Sequence, residues 1–224
     1  SITRQLVKVK KCDVVALENN SAAIGKLKTF CKSVYDLDLN TETWAQEVSA
    51  LQQKQSRHKL FDYVIAGDVL EHLYDPWTVL KKMSTLLNEN GRVIISVPHS
   101  GHSTVVAAFY NSNIDLQESG ILDKTHIRFF GLKNIDELYA NAGLAITRVH
   151  KVIRKPEITE FASEWNALPE NVREAFAARD CADVYQVVTE AGRISKVDTP
   201  ILLASDKPYH TKPTNLWKRL LRQT

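Results

Sequence analysis

Residues 61–74, FDYVIAGDVLEHLY, constrain the fold more tightly than any other stretch of the chain. A largely apolar run from Phe61 to Ala66 stops at Gly67, and three ionisable residues follow at once: Asp68, Glu71 and His72. Asp75-Pro76 then supplies a helix start, an N-cap residue with proline in the first helical position. A buried strand that ends in a small residue and a polar cluster, with a helix after it, is how open α/β sheets are built. Such sheets bind ligands outside the carboxyl ends of their strands, so the cluster stands where this fold places its chemistry.

The flanking sequence repeats the alternation. Ile2, Leu6 and Val9 recur at helical spacing over residues 2–10, and the β-branched run of residues 13–18 predicts a strand ending in Glu18. Ser21 offers an N-cap for a helix with Ile24, Leu27 and Phe30 on one face. Residues 32–37 predict a second short strand, and Trp44, Val48 and Leu51 mark an amphipathic helix leading to the strand at 61–67. Beyond Asp75, the residues Val79, Leu80, Met83, Leu86 and Leu87 form a buried helix face, with Asn90-Gly91 expected to end it. Residues 92–97 (RVIISV) predict another buried strand, cut off by Pro98. Residues 98–130 read as less regular and hold His99, His102, His126 and Arg128. A helix capped by Asn134 and stopped by Gly143, strands near 144–152 and 184–189, and a helix near 170–178 complete the pattern. The fold class is therefore α/β: a doubly wound, mostly parallel sheet with helices on both faces.

Composition excludes several alternatives. At 224 residues, 44% hydrophobic and 25% charged, the chain can build one good core, and no repeat, low-complexity tract or linker divides it. The net charge of +3 is spread along the sequence, with a modest basic excess in the tail at 205–224, which points to a solvated surface rather than a nucleic-acid interface. Cys12, Cys31 and Cys181 are odd in number and lack CxxC spacing, which fits a reducing, cytoplasmic setting. There is no apolar run of membrane-spanning length and no signal peptide.

The acid-ended strand, Tyr35-Asp36-Leu37, the segment from GDVLEHL through DPW to GRVIISVP, and LDKTHIRFFG together resemble class I S-adenosylmethionine-dependent methyltransferases. The resemblance is closest to a bacterial-type subgroup that accompanies glycan-modifying enzymes, and it runs from about Ile2 to about Thr189. It implies a Rossmann-like methyltransferase domain over residues 1–204 and S-adenosyl-L-methionine as cofactor. It further implies a small-molecule or glycan acceptor methylated at oxygen, and a larger polypeptide or an associated glycosyltransferase as partner. By the same resemblance Glu18, with Asn19 beside it, binds the ribose hydroxyls, for which a carboxylate is a suitable double acceptor. Asp36 accepts the adenine amino group beside the Leu37 backbone, and Asp68 and Val69 line the methionine and methyl-donor end. The residues themselves leave plainer roles open: a strand-end cap for Glu18 and a turn residue for Asp36.

One part of the family pattern is absent. No GxGxG follows a first strand, and the sequence opens where the helix after that motif would be under way. The expectation is a domain whose first strand lies outside this chain; the alternative is a degenerate, non-catalytic methyltransferase-like scaffold or partner module. A nicotinamide-dependent oxidoreductase is weaker, because no phosphate-binding glycine cluster is present, whereas S-adenosylmethionine carries no phosphate.

Methyl transfer to oxygen needs an aligned nucleophile and a route for its proton. His72, just past the strand tip, and His126, in LDKTHIRFF, are the candidate bases, with a structural role open for each. Asp68, Glu71, His72 and His126 also form a candidate divalent-metal set. It is similar to the E-x-x-E-H…H site of small-RNA 2′-O-methyltransferases and to ubiquinone-pathway O-methyltransferases, with Asp68 in place of the first Glu. The favoured reading is no metal, with these residues in supporting hydrogen bonds. Asp123, Lys124, Arg128 and Phe129 are candidates for shaping the acceptor side, while Trp44, Trp77 and Trp165 suit packing, and His99 and His102 suit ordinary loop positions.

Overall fold

In the computed structural model the described residues are 2–54 and 60–205, and they fall into two compact units, Ser1–Ser56 and Arg57–Thr224. The basic tail expected at 205–224 lies outside the described residues, the backbone of Ser205 excepted.

In the first unit, strand β1 (Val15–Glu18) pairs in parallel with β2 (Ser33–Asp36), flanked by helices α1 (Ile2–Lys8), α2 (Ser21–Lys28) and α3 (Trp44–Lys54). Trp44 and Val48 bury one face of α3, as their helical spacing requires. The cap of α2 is Asn20 rather than Ser21. Asn20 keeps an extended backbone and its Oδ1 accepts the Ala23 N–H at 3.1 Å, which makes Ser21 the first helical residue.

The second unit holds a four-stranded sheet in the order β3 (Phe61–Gly67), β4 (Leu87–Pro98), β6 (Val184–Arg193), β5 (Leu144–Ile153). β3 and β4 are parallel, and β6 runs antiparallel to both β4 and β5, so β3, β4 and β5 share one direction and β6 alone opposes it. This is a Rossmann-like α/β arrangement with a reversed strand inserted near one edge. Along β4 every second side chain is buried (Val93, Ile95, Val97), as expected of a strand paired on both sides. Helix α4 (Pro76–Thr85) brings Val79, Leu80 and Met83 onto this sheet, and α6 (Leu132–Asn141) brings Ile135, Leu138 and Tyr139. The Tyr139 hydroxyl meets Thr189 Oγ1 of β6 at 2.5 Å, and burial pushes its pKa upward.

Three expectations are corrected. Asn90-Gly91 does not end α4, which stops at Thr85; both residues lie inside β4. A Cβ on Gly91 would sit 2.9 Å from the Phe61 carbonyl oxygen, so the glycine serves a close approach of two strands rather than a helix stop. Helix α6 begins at Leu132, and Asn134 lies within its first turn, where its Oδ1 accepts the Gly131 N–H. The stretch 98–130 contains a regular helix, α5 (Ser103–Tyr110), whose all-apolar sequence VVAAF hides the 3.6-residue stripe. Helices α7 (Ala162–Asn166) and α8 (Glu170–Ala177) follow β5, the second of them where the periodicity placed it.

His99 and His102 are also not loop residues in the ordinary sense. Both are buried, and burial lowers both pKa values. His102 caps α5 by accepting the Thr104 N–H at Nδ1, while its Nε2 faces the Arg154 carbonyl at 2.8 Å. Trp44 and Trp165 are buried as expected, whereas Trp77 is exposed.

Leu80 is fully buried between α4 and the sheet. Leu80→Ala should lower unfolding free energy by about 2–5 kcal/mol, read as a drop in the urea midpoint with an unchanged slope. A loss under about 1 kcal/mol would mean that α4 does not pack as described.

Candidate active site

The tip of β3 is built around Asp68. Its backbone takes a left-handed conformation, φ +53°, which an aspartate tolerates better than most side chains and which turns the chain sharply off the strand. The turn is held from β4: the Asp68 N–H donates to the Ser96 carbonyl and to Ser96 Oγ, each at 3.1 Å. Ser96 Oγ donates back to Asp68 Oδ1 at 3.1 Å, and Gln186 Nε2 of β6 donates to the same oxygen. Two neighbouring strands thus fix one exposed carboxylate at the sheet's carboxyl edge.

A single 3-10 turn, Leu70–His72, comes next. Its Glu71 carbonyl accepts the N–H groups of Ile127 (2.9 Å) and Arg128 (3.0 Å), clamping the 123–128 segment onto the turn. Arg128 adds a bond from Nη2 to the Tyr74 carbonyl. The result sets the His72 and His126 rings edge to face, with centroids 4.8 Å apart.

Each imidazole is oriented through Nδ1. His126 Nδ1 lies 2.9 Å from the Ile121 carbonyl, an acceptor only, so Nδ1 carries the proton and Nε2 the lone pair. His72 Nδ1 lies 3.2 Å from the Thr125 carbonyl and 3.1 Å from Thr125 Oγ1. Thr125 Oγ1 spends its own proton on Asp123 Oδ1 at 2.6 Å, so it too faces His72 as an acceptor. Both rings are therefore held in the tautomer that leaves Nε2 free. The Thr125 hydroxyl and N–H, in turn, hold the Asp123 carboxyl below its usual range.

Between them lies Glu71, 1% exposed, with neither carboxylate oxygen hydrogen-bonded. Burial pushes its pKa up to about 7. Its own backbone N–H opposes the rise, though its geometry falls short of a hydrogen bond, and the charges of Asp68 and Asp123 add to it. One ligating atom from each of Glu71, His72 and His126 lies within 4.8 Å of the other two, the single such group among the described residues. Asp68, counted in the metal set from sequence, is not part of this group.

In the first unit, register places Glu18 directly beside Asp36 at the carboxyl ends of the parallel pair β1 and β2. Glu18 Oε1 accepts the N–H groups of Asn19 and Asn20, both at 3.0 Å, which is the strand-end cap left open by the sequence; Oε2 takes neither bond. The Leu37 N–H donates to the Glu18 carbonyl at 3.3 Å, so Asn19, Asp36 and Leu37 gather around one strand end. Val69 follows Asp68 and is half-buried.

Sequence reasoning missed Ser96 and Gln186 as holders of Asp68, and Thr125 and the Ile121 carbonyl as orienters of the histidines. Ser96 was findable, since it stands two residues before the proline that ends β4; a backbone carbonyl leaves no sequence signal. Phe129 is half exposed and Lys124 pairs with Glu118 at 2.6 Å, both on the outer side of the segment. None of the three cysteines is in a disulfide, and no helix among the described residues is long and apolar enough to cross a membrane.

Comparison with known proteins bears on this geometry. A family model described as "Methyltransferase domain" matches residues 3–149. A search of curated proteins gave no match. Among solved structures, a Thermotoga maritima SAM-dependent methyltransferase, described as a possible histamine N-methyltransferase, shares 13% identity at a TM-score of 0.52. The alignment covers 85% of this chain and 77% of that one. An Archaeoglobus fulgidus SAM-dependent methyltransferase shares 15% identity over 84% and 79% of the two chains, TM-score 0.49. The Brevibacillus brevis polyketide-synthase O-methyltransferase, solved with S-adenosyl-L-homocysteine, shares 12% identity over 87% of this chain and 63% of that one, TM-score 0.48. At 13% identity the likeness to the Thermotoga maritima protein is one of fold.

The burial of Glu71 has a measurable consequence. Unfolded, it releases its proton near 4.5; folded, it holds it to about 7. The folded chain binds more protons between these values, so its stability is fully present below 4.5 and lost as pH rises through about 7. In urea unfolding with a chelator present, Glu71→Gln should gain on the native chain by up to roughly 3 kcal/mol from pH 4.5 to pH 8. Parallel pH curves for the two proteins would show that Glu71 ionises freely.

Proposed function

The chain belongs to the methyltransferase-domain family, and from that premise we propose that it moves a methyl group from S-adenosylmethionine to an oxygen of a small-molecule or glycan acceptor. The observation that carries the choice of oxygen is the pair of imidazoles, His72 and His126, each with Nδ1 committed and Nε2 left as a base. An amine acceptor can react through a lone pair already present near neutral pH. A hydroxyl must shed its proton as the new bond forms, and a neighbouring imidazole near its working pH is suited to take it.

The cofactor supplies a methyl group on a positively charged sulfur, whose bond to carbon breaks as the acceptor oxygen attacks in line. The residues of each unit suit one part of such a ligand. Glu18 and Asp36 stand side by side at two strand ends, and Glu18 Oε2 is outside the capping bonds, so that a ribose diol and an adenine amino group have acceptors. Asn19 and Leu37 border them. Asp68, with Val69 behind it, is the fixed carboxylate for the donor end, and its negative charge suits a sulfonium. His72 or His126 takes the acceptor's proton at Nε2. Asp123, through Thr125, keeps the His72 tautomer in place and is a positioning residue.

The cytoplasm, and association with a glycan-modifying enzyme or a longer polypeptide, complete this reading; the first rests on the cysteine pattern and the others on the sequence resemblance. A non-catalytic module has less support, because a scaffold has no need for two imidazoles held in one tautomer.

Titration calorimetry with S-adenosylhomocysteine is the direct test. The folded chain should bind at micromolar affinity, and Glu18→Gln, which keeps an oxygen for the turn but removes the charge, should weaken binding about 10-fold to 100-fold. No binding by a folded chain, or equal binding by Glu18→Gln, would count against the nucleoside assignment.

A further inference from the structure

We propose that Arg154 selects the methyl acceptor by pairing with an anionic group, a carboxylate or a phosphate, that the acceptor carries apart from the oxygen to be methylated. Arg154 directly follows β5, so it stands at the same carboxyl edge of the sheet as Asp68, and it is exposed. Its backbone is held on both sides. The Arg154 N–H donates to the Asp183 carbonyl at 2.9 Å, and the Arg154 carbonyl accepts from His102 Nε2 at 2.8 Å. The direction of that second bond is set at the other ring nitrogen: Nδ1 accepts the Thr104 N–H, so the proton is on Nε2.

The side chain is aimed as well. The guanidinium carbon lies 4.1 Å from the centre of the Tyr185 ring, within the range of a cation–π contact. The ring is itself fixed. His102 meets it edge to face with centroids 5.7 Å apart, and its hydroxyl donates to both oxygens of Glu160, at 2.9 and 3.0 Å. Glu160 Oε1 also accepts the Ile121 N–H at 2.7 Å, so this carboxylate is spent on a hydroxyl and a backbone amide. The guanidinium is left over: among the described residues it makes no ion pair and no hydrogen bond. An arginine in that state suits an oxyanion. Its charge is permanent, and its planar fork matches two oxygens of a carboxylate or phosphate. Stacking on the ring has already removed part of its rotamer freedom, so less is lost when the anion binds.

The same contacts tie Arg154 to the candidate base. The Ile121 peptide serves both, with its N–H bound to Glu160 and its carbonyl 2.9 Å from His126 Nδ1. Gln186, next to Tyr185 in β6, donates to Asp68 at the donor end. Three strand spacings, about 14 Å, separate the ends of β3 and β5. An anion held by Arg154 therefore orients the acceptor without entering the reaction, and the histidines keep their role as bases. The inference rests on the methyl-transfer reading and deepens it: the acceptor is an acidic or phosphorylated molecule rather than a neutral one.

The test titrates glucuronate, glucose 6-phosphate and neutral glucose into the full chain, read by ligand-observed NMR. The anionic sugars should bind at least about tenfold more tightly than glucose, and Arg154→Met, which keeps an apolar stem against the Tyr185 ring, should abolish the difference. Arg154→Lys, a point charge without the fork, should retain part of it. Tighter binding of glucuronate identifies a carboxylate as the preferred group and tighter binding of glucose 6-phosphate a phosphate; either supports the assignment. Circular dichroism controls for folding, and Arg154→Gln replaces Arg154→Met should the latter not fold. Equal binding of charged and neutral sugars by the folded wild-type chain overturns the proposal, as does a difference that Arg154→Met and Arg154→Gln retain. So does an equal loss in Lys81→Met, which removes an exposed lysine of α4. S-adenosylhomocysteine titration of the same proteins separates the two ideas. Cofactor binding without discrimination among the sugars removes the anion site and keeps the methyltransferase reading; discrimination without cofactor binding does the reverse.

Discussion

The site in the second unit depends on two hydrogen bonds to one atom. The Glu71 carbonyl accepts from Ile127 and from Arg128, and through them a segment more than fifty residues away in sequence is held against the 3-10 turn after β3. A carbonyl has two lone pairs, and filling both with consecutive N–H groups fixes the approach of the second segment in direction as well as distance. His126 precedes Ile127 by one residue, so the clamp sets its position beside His72. Without it, two histidines from unrelated parts of the chain would have no reason to meet.

Glu71 itself is buried, with its carbonyl facing the 123–128 segment. A carboxylate placed there by the needs of the backbone would ordinarily be replaced by a neutral side chain, since desolvation, with the charges of Asp68 and Asp123 adding to it, raises its pKa to about 7. The adjoining Asp68 contrasts with it in every respect. It is exposed, bonded by Ser96 and Gln186, and set in a left-handed conformation that ends the strand. Two carboxylates three residues apart thus differ in kind: one is satisfied by the protein, the other is buried without a hydrogen-bond partner.

Much of this was legible in the sequence, and the losses have physical causes. The strand at 61–67, the Asp75-Pro76 helix start and the acids at 18 and 36 show plainly, because apolar runs and caps act over a few residues. The Asp75 cap is as expected, with Oδ1 accepting the Thr78 N–H at 3.0 Å. Helix α5 escaped because a helix apolar on all sides has no stripe. Gly91 misled because a close strand approach and a helix stop both select glycine. Asp68 also lies outside the group formed by Glu71, His72 and His126, and spacing along the chain carries no information about which carboxylate the neighbouring strands have already satisfied.

The tautomers of His72 and His126 lie furthest from sequence. A histidine named as a base could present either nitrogen, or be locked between a donor and an acceptor, as His102 is held between the Thr104 N–H and the Arg154 carbonyl. That arrangement commits both ring nitrogens and leaves nothing for a substrate. At His72 and His126 only Nδ1 is committed, and in both cases to carbonyl oxygens, which cannot reverse the direction of the bond. Backbone geometry therefore separates His72 and His126 from His102, whose two ring nitrogens are both spent on holding the fold. The distinction follows from which atoms remain unsatisfied once the chain has folded, not from residue type or position.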